Sequence, residues 1–406
     1  MNVRRSAGVL AAVTVIGAAT PAAAAPSPTP SQAFPSALYG DKDPKFDGVW
    51  RQSLALLAQE TVGVKPAAKS VTWLERQQCE DGAFAAYRPD PTAACDAKTM
   101  LDTNATAAAV QALAALGGQD AVTGKAVGWL KSVQNEDGGW GYSPGGASDT
   151  NSTSVVIGAL TAVGEKPDQV EKGGKSPYDA LLKLALPCGK DGDGAFAFQP
   201  DKKGDLAANA DATAAGVLGA LGKGMVAEAG KKSDATCAEP GTPDQASANG
   251  AAYLTQTLAK DDDHLTSALA GADPQPDHGN TADAVVALAA QGDTEQAEKS
   301  VRWLEKNSAT WAEQGGPAAY AQLIFAAHAA GANPRDFGGT DLVKQLNATG
   351  PAPQTPEKTA AAEDKAEDKS DSKSDFFGVW WYVGVCLVAG IGIGFLFTGR
   401  KKRQQS

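Results

Sequence analysis

Small apolar residues and short polar clusters alternate in a repeated order along the middle of the chain. Runs rich in Ala, Leu and Val follow the polar groups that begin at Asp102, Asp149, Asn209 and Asp277, and each run ends at a glycine. Asp, Asn and Thr at a helix start accept hydrogen bonds from free backbone N–H groups, and glycine supplies a left-handed stop. The pattern therefore predicts helices with polar starts and small apolar bodies.

More amphipathic segments alternate with these runs, and each ends in a glycine turn and an aromatic residue. The clearest copy runs from Trp129 through Gln134 to Trp140, and Phe84 and Phe196 close two similar segments. Charged residues on one face predict an outer position, whereas uniformly apolar helices should line an interior. Six inner helices are predicted at about 46–60, 104–117, 151–164, 209–222, 280–291 and 317–331. Six outer helices are predicted at about 67–79, 122–135, 176–187, 246–258, 294–307 and 338–348.

The number of helix pairs predicts how the domain is closed. Six pairs can close on themselves, and closure removes the exposed ends that an open stack of repeats must cap. We therefore predict an all-α fold, an α6/α6 toroid with six inner and six outer helices, over residues 45–348.

The beginning of the chain is typical of a secreted protein. Arg4 and Arg5 precede a short apolar run, and small residues up to Ala25 follow. This order predicts a signal peptide over residues 1–25, and an N-terminal extension follows at 26–44. An uncleaved anchor is the alternative, but the run is short for a membrane span.

The end of the chain predicts a membrane tether. Residues 376–399 carry no charge, Trp380 and Trp381 stand near their start, and Arg400 begins a basic tail at 400–406. About 24 apolar residues can cross a bilayer, and the basic tail should stay in the cytoplasm. A buried core helix is the alternative. We expect a single-pass protein of the cell membrane whose N-terminal domain is extracellular, with a disordered stalk over 349–375.

Charge and cysteines narrow the class of protein. The net charge of −11 argues against nucleic-acid binding. Four of the five cysteines lie outside the predicted membrane helix. An even number of extracellular cysteines predicts two disulfides. We favour Cys79–Cys95 and Cys188–Cys237 among three connectivities, because each closes a short or medium loop. Zinc is the rival, but the tight ligand spacing of a zinc site is missing.

The segment from Lys125 to Gly141, with Trp129, Gln134 and Trp140, resembles the QW repeat of terpenoid cyclases. The same superfamily of α-α toroids includes protein prenyltransferase β subunits. The Asp-Thr helix starts at Asp102 and Asp149 are also similar to those of the cobalamin carriers intrinsic factor and transcobalamin. The resemblance implies a barrel with a central cavity, and it leaves the function open because one fold hosts many functions.

Two enzymatic functions are alternatives. Cyclases of the hopene branch need an Asp-x-Asp-Asp acid, and the chain contains no such tetrad; the nearest acidic run begins at Asp261. Protein prenyltransferases bind zinc through Asp, Cys and His, and His264, His278 and His328 are not arranged in that way. We therefore assign no catalytic residue, no metal ligand and no certain cofactor from the sequence.

The leading expectation is the capture of a small ligand, with a corrinoid such as cobalamin as the best guess. Polar helix starts should converge on the barrel mouth, where polar groups fix the orientation of a ligand. The candidate ligand-binding residues are Asp102, Asn104, Asp149, Asn151, Asp211, Asp277 and Tyr142. A separate secreted β-domain protein or a membrane transporter would be the partner. A protein-docking scaffold at the cell surface is the remaining alternative.

These residues also have a purely structural interpretation. Asp102, Asp149, Asn209 and Asp211 can act as helix caps alone, since one cap contributes about 1 kcal/mol. Phe84, Trp140 and Phe196 are expected to pack between helix pairs rather than to contact a ligand. For His328, a structural role is favoured over that of a base.

Overall fold

The structure is a computed structural model that describes residues 35–189, 192–232, 237–267 and 273–355. The predicted signal peptide, transmembrane helix and basic tail lie outside these ranges, as do most of the predicted stalk and part of the N-terminal extension. None of the helices within the described ranges is long and apolar enough to cross a membrane.

Six helices with small apolar bodies form the inner layer. They are α1 (Gly48–Thr61), α3 (Thr103–Leu116), α5 (Thr150–Ala162), α7 (Ala210–Ala220), α9 (His278–Gln291) and α12 (Pro317–Ala329). Each packs against the next in this order, and α12 packs against α1. The inner helices therefore form a closed ring, as the six predicted pairs require.

Outer helices contact the inner ring one by one. They are α2 (Ala68–Arg76), α4 (Asp120–Ser132), α6 (Pro177–Leu184), α8 (Pro243–Lys260), α10 (Thr294–Asn307) and α13 (Leu342–Ala348). Each packs against the inner helix that precedes it in the chain. All twelve predicted helices are present in this mostly helical, toroid-like domain, with ends displaced by a few residues.

Two elements were not predicted from the sequence. A short helix, α11 (Ala309–Gly315), lies between α10 and α12, and β1 (Leu265–Ser267) pairs with β2 (Gln275–Asp277) as an antiparallel hairpin. The hairpin takes the place that the glycine turn and aromatic residue occupy in the earlier repeats. In the described ranges, helices α1 to α13 account for nearly all of the regular structure.

In four of the inner helices, a threonine in the first helical turn forms a hydrogen bond with the segment that precedes the helix. The hydroxyls of Thr106, Thr153, Thr213 and Thr281 accept the backbone N–H groups of Phe84, Trp140, Phe196 and Leu265, respectively, at 2.9, 3.1, 2.9 and 2.9 Å. These threonines are fully buried. Because the bond sits at the same helical position each time, it sets the four helix starts at the same level of the ring.

The aromatic residues of these turns fill the space between neighbouring helices. Phe84, Trp140 and Phe196 are almost fully buried, as expected for packing residues. The indole N–H of Trp140 donates to the Leu130 carbonyl at 2.8 Å. A Cβ at Gly216 of α7 would lie 2.6 Å from the Phe196 ring, so only glycine allows this approach.

Glutamine side chains connect consecutive outer segments. The amide of Gln78 donates to the carbonyls of Gly82 and Val122, and that of Gln134 donates to those of Gly138 and Val170. Each glutamine thus joins the end of one outer helix to the next repeat. This accounts for the glutamine in the repeated pattern.

Both favoured disulfides are confirmed. Cys79 bonds to Cys95 and Cys188 bonds to Cys237, with Cα atoms 5.7 Å apart in each pair. Neither of the two alternative connectivities is formed. The sulfur atoms are therefore not available as zinc ligands.

The compact unit extends past the predicted end of the toroid. Pro351 accepts a hydrogen bond from the Tyr39 hydroxyl at 3.2 Å, and Gln354 bonds to the carbonyls of Lys65 and Pro66. Tyr39, which precedes α1, is fully buried. The first residues of the predicted stalk therefore pack against the toroid, because the Pro351 carbonyl and Gln354 form hydrogen bonds there.

We predict that Thr153→Val lowers the free energy of unfolding by about 1–3 kcal/mol, because the Trp140 N–H loses its acceptor in a buried site. Thr161→Val is the matched control, since Thr161 is exposed on the same helix. Urea unfolding followed by tryptophan fluorescence measures both. Equal stability of the two variants would contradict a structural role for the threonine bond.

Candidate functional site

A cavity of about 260 Å³ lies inside the ring. Every inner helix contributes to its wall, together with the segment 223–225 that follows α7. Apolar residues form most of the wall: Trp50, Leu54, Val155, Ala214, Ala215, Leu218, Met225, Val286 and Phe325. The remaining lining residues are Asn104, Asn151, Ser154, Asp211, Lys223, Gly224, Asp283 and Gln322.

The segment 223–225 forms one boundary of the cavity. The backbone N–H of Met225 donates to the Gln111 side chain at 2.9 Å, and the Gln111 amide donates to the Val155 carbonyl at 3.0 Å. A Cβ at Gly158 would lie 2.7 Å from the Gly224 Cα, so α5 and this segment are in close contact. Because the segment follows the C-terminal end of α7, the cavity is closed toward the side opposite the helix starts.

Asp283 places a carboxyl group at the cavity wall. It lies in the second turn of α9, and the Gln322 amide donates to both carboxyl oxygens, at 3.2 and 3.1 Å. Burial raises the pKa of Asp283 to about 7, with a further increase from the nearby charges of Asp211 and Asp277 that outweighs the hydrogen bond from Gln322. A large fraction of Asp283 is therefore a neutral acid at neutral pH.

Asp211 is the second carboxyl group that lines the cavity. The Asn151 amide nitrogen donates to its Oδ2 at 2.8 Å. Burial raises the pKa of Asp211, and the charge of Asp277 raises it further, whereas the bond from Asn151 lowers it. Asp211 was expected to be a helix cap, but Asn209 caps α7 by accepting the Ala212 N–H at 2.8 Å. The Asp211 carboxylate lies two residues further on, where it faces the ring interior.

Several buried polar atoms near the carboxyl groups have no hydrogen-bond partner. They are the amide oxygens of Asn104 and Asn151 and the hydroxyl of Ser154. All three residues line the cavity, and Ser154 is only 5% exposed. Buried polar groups are nearly always hydrogen-bonded, so unpaired groups in a cavity wall are candidates for binding a ligand.

Three of the predicted rim residues act as helix caps. The carboxylates of Asp102, Asp149 and Asp277 accept the backbone N–H groups of Ala105, Ser152 and Asn280 at 2.8, 2.7 and 3.0 Å. Burial raises the pKa of Asp102 and of Asp149, and these hydrogen bonds partly oppose it. Asp102 and Asp149 are therefore helix caps, as the sequence predicts.

Tyr142 lies at the same end of the ring but does not line the cavity. Its side chain is 54% exposed, and its hydroxyl interacts with the Asp102 carboxylate. Partial burial and the charge of Asp102 raise the pKa of Tyr142 to about 12. The Tyr142 carbonyl accepts the Thr103 N–H at 2.9 Å, so this residue also helps to hold the start of α3.

The structure brings together only part of the predicted set. Asn104, Asn151 and Asp211 line the cavity, Asp277 acts on it through its charge, and Asp102, Asp149 and Tyr142 lie outside its wall. Contact of any of these residues with a ligand stays a prediction.

Asp283, Gln322 and Trp50 were not predicted as site residues. The one available signal was Asp283 itself, a lone carboxylate in the otherwise apolar run from Ala282 to Ala290.

The histidines do not form a metal site with the acidic residues. His264 stacks on Trp303 and His278 stacks on Trp311, with ring centroids 4.2 and 5.5 Å apart, respectively. His328 bonds to Glu228 at 2.8 Å. In the part of the chain that the structure describes, no group of three His, Cys, Asp or Glu residues could hold a metal ion. His328 thus has the structural partner that was expected of it.

Comparison with known proteins supports the class that the repeats indicate. Residues 50–221 match the family described as Prenyltransferase alpha-alpha toroid domain. A segment of 76 residues is 38% identical to drimenyl diphosphate synthase of Streptantibioticus cattleyicolor. This segment covers 19% of the chain and 13% of that protein, so the chain matches only a small part of the relative.

Solved structures with a similar helical arrangement are more distant. They include ent-copalyl diphosphate synthase from Streptomyces platensis, at 18% identity over 70% of this chain and 50% of that one, with a TM-score of 0.46. A protein from Actinoplanes is 16% identical over 73% of this chain and 80% of that one, with a TM-score of 0.44.

The resemblance inferred from the QW-like repeats is therefore confirmed, since residues 50–221 match the prenyltransferase α-α toroid family. More particularly, a segment of 76 residues is similar to part of a drimenyl diphosphate synthase. The comparisons thus favour the cyclase or prenyltransferase alternative over the expectation of a corrinoid-binding protein.

We predict that Asp283→Asn removes a pH dependence of stability. The folded pKa of about 7 lies above that of an unfolded aspartate, so the folded state retains a proton that the unfolded state loses. The free energy of unfolding should therefore fall as pH rises from about 4 to about 7, by roughly 2–4 kcal/mol, through this group alone. Asp283→Asn should be the more stable protein at pH 8.

The measurement is the difference in unfolding free energy between wild type and variant from pH 4 to 9, which cancels the contributions of the other buried carboxyl groups. Asp336→Asn is the control, because Asp336 is exposed in a loop. A constant difference across this range for Asp283→Asn would show that Asp283 is ionised normally.

Proposed function

We propose that the protein is a terpene-cyclase-like enzyme in which the inner cavity binds an isoprenoid chain and Asp283 protonates one of its double bonds. The observation that carries this proposal is a partly buried carboxylic acid with a pKa of about 7 at the wall of a mainly apolar cavity. Strongly shifted groups in a cavity are candidates for catalysis. The toroid domain and the terpene synthase relative support the same class of substrate.

The reaction requires no cofactor. The Asp283 proton bonds to one alkene carbon, using the π electrons, and leaves a carboxylate and a carbocation on the neighbouring carbon. A second double bond of the chain can attack that carbon, which forms the ring and moves the positive charge to the other carbon of the second double bond. Loss of a proton from a carbon next to this new cation then gives a neutral cyclic product. Asp283 regains a proton, so that the overall change is an isomerisation.

Residues of the cavity wall can stabilise the carbocation and orient the acid in this step. Trp50 and Phe325 are aromatic residues that line the cavity, and aromatic faces attract cations. Gln322 holds both oxygens of Asp283, which fixes the direction of the acid. Asp211 and Asp277 favour the neutral form of Asp283 before the reaction and attract the cation afterwards. Asp283 would thus serve as the acid that the missing Asp-x-Asp-Asp tetrad supplies elsewhere.

Corrinoid capture with a partner chain is less well supported. A cavity of about 260 Å³ suits a short hydrocarbon chain and is too small for a corrinoid ring. A corrinoid would have to bind outside the ring at the mouth, where Asp102 and Asp149 are already engaged as caps.

The proposal places the reaction on the outer side of the cell membrane. Two disulfides are typical of proteins that fold in an oxidising compartment. The uncharged segment 376–399 followed by basic residues would hold the domain near the bilayer. An isoprenoid substrate partitions into that bilayer, so a tether would keep the enzyme close to its supply.

We predict that the purified protein converts an acyclic isoprenoid to a cyclic product and that Asp283→Asn lowers the rate about 10²–10⁴-fold. The rate should fall as pH rises through about 7, since the acid must hold its proton. Gas chromatography with mass spectrometry, on geraniol, farnesol, squalene and the diphosphates of the first two, measures products. Incorporation of deuterium from heavy water identifies the protonation step.

Asp336→Asn is again the control and should react at the wild-type rate. Circular dichroism shows whether the Asp283→Asn protein is folded. Cyclisation that continues unchanged in folded Asp283→Asn would exclude Asp283 as the acid, and binding of the chains without any product would exclude the enzymatic function.

A further inference from the structure

The ionisable groups around the cavity are predominantly acidic. Asp211 and Asp283 line it, and Asp277 lies close enough to raise the pKa of both. Lys223 is the one basic residue of the lining within the described residues, and its side chain is exposed. It follows the end of α7, whereas Asp211 stands in the first turn, and the helix measures about 14 Å from Asp211 to its end at Ala220. A negatively charged group at the helix starts would therefore meet carboxyl groups without a neutralising cation.

Helix starts often bind phosphate groups, but these starts are already occupied. Their free N–H groups and positive dipole ends favour anions. Side chains of the protein itself accept these N–H groups in α3, α5, α7 and α9, through Asp102, Asp149, Asn209 and Asp277. Three of these four caps are carboxylates, so the ring supplies its own anions where a phosphate would bind.

Three polar atoms without hydrogen-bond partners lie at this end of the cavity. The Asn151 amide nitrogen is engaged by Asp211 and the Gln322 amide nitrogen by Asp283. The first contact fixes the Asn151 amide, because the opposite orientation would place its oxygen against a carboxylate. The amide oxygens of Asn104 and Asn151 and the Ser154 hydroxyl remain without partners. Their complement is a ligand group that donates a hydrogen bond.

We propose that the cavity selects an isoprenoid whose head group carries no negative charge and donates a hydrogen bond, such as a primary alcohol, and that it rejects the corresponding diphosphate. This inference rests on the proposed function for the isoprenoid chain, whereas the choice of head group rests on the carboxyl groups and unpaired acceptors. It separates this protein from its relatives, whose names denote diphosphate products.

The test is a set of matched ligands that differ only in the head group. Geraniol and farnesol are each compared with their diphosphates in binding to the full-length protein in detergent, by tryptophan fluorescence and calorimetry, with and without magnesium. We expect each alcohol to bind at least tenfold more tightly than its diphosphate in both conditions. Asp211→Asn should reduce this preference at least about threefold, because it removes a negative charge next to the head group.

Asp336→Asn should leave the preference unchanged. Equal or tighter binding of a diphosphate, with or without magnesium, would overturn the choice of head group and leave the isoprenoid-binding proposal standing. Lys223→Gln would then show whether the anion binds at the opposite end. If neither alcohols nor diphosphates bind, both proposals fail. If alcohols bind preferentially but are not converted, the head-group inference holds and the enzymatic proposal fails.

Discussion

The structure depends on one repeated hydrogen bond, from the backbone of a turn to a threonine hydroxyl in the first turn of an inner helix. In the four copies, Thr106, Thr153, Thr213 and Thr281 accept the N–H at 2.9 to 3.1 Å. The residue that caps the helix also bonds back to the aromatic turn, as Asp102 does to the Phe84 carbonyl. Each inner helix is thereby fixed in height relative to the preceding repeat. Because the helices run in the same direction, their polar starts gather at one end of the ring.

Closure of the ring affects the ionisation of the carboxyl groups that this alignment brings together. The contact between α12 and α1 completes the ring, and small buried residues allow the six helices to approach closely. A carboxyl group inside such a ring loses its hydration, and a second carboxyl group nearby disfavours its ionisation further. Asp283 experiences both effects, while Gln322 supplies only a partly compensating bond. The acid is therefore a consequence of ring closure and of the aligned helix starts.

Much of the fold was predictable because its signals are local. Caps such as Asp149 and turn aromatics such as Trp140 mark each helix boundary in the sequence, and the repeat count implies closure. The cavity was not predictable in the same way. Asn209 and Asp211 are both cap candidates in the sequence, and only the hydrogen bonds of α7 show that Asn209 is the cap. The segment at Met225 contacts Gln111 on α3, more than a hundred residues away, and no sequence pattern predicts this contact. Asp283 was visible as a lone charge in an apolar run, but its pKa depends on Asp211 and Asp277, which the fold brings near.

The cost in stability of the Asp283 carboxyl group indicates that this residue has a function. A buried carboxyl group with raised pKa reduces stability at neutral pH, and an apolar residue in its place would avoid this cost. Asp283 stands in a helix whose neighbours Ala282, Ala284 and Val285 are fully buried and apolar. Gln322 on α12 is placed to bond both of its oxygens, so two separate inner helices maintain the arrangement. Polar groups that destabilise a core are typical of functional sites, where stability and activity oppose each other. The same reasoning does not extend to Asp102 and Asp149, whose carboxylates contribute to stability as caps. In this ring, a structural acid is therefore a carboxylate that stabilises a helix start. A functional acid is one that is maintained at a cost in stability.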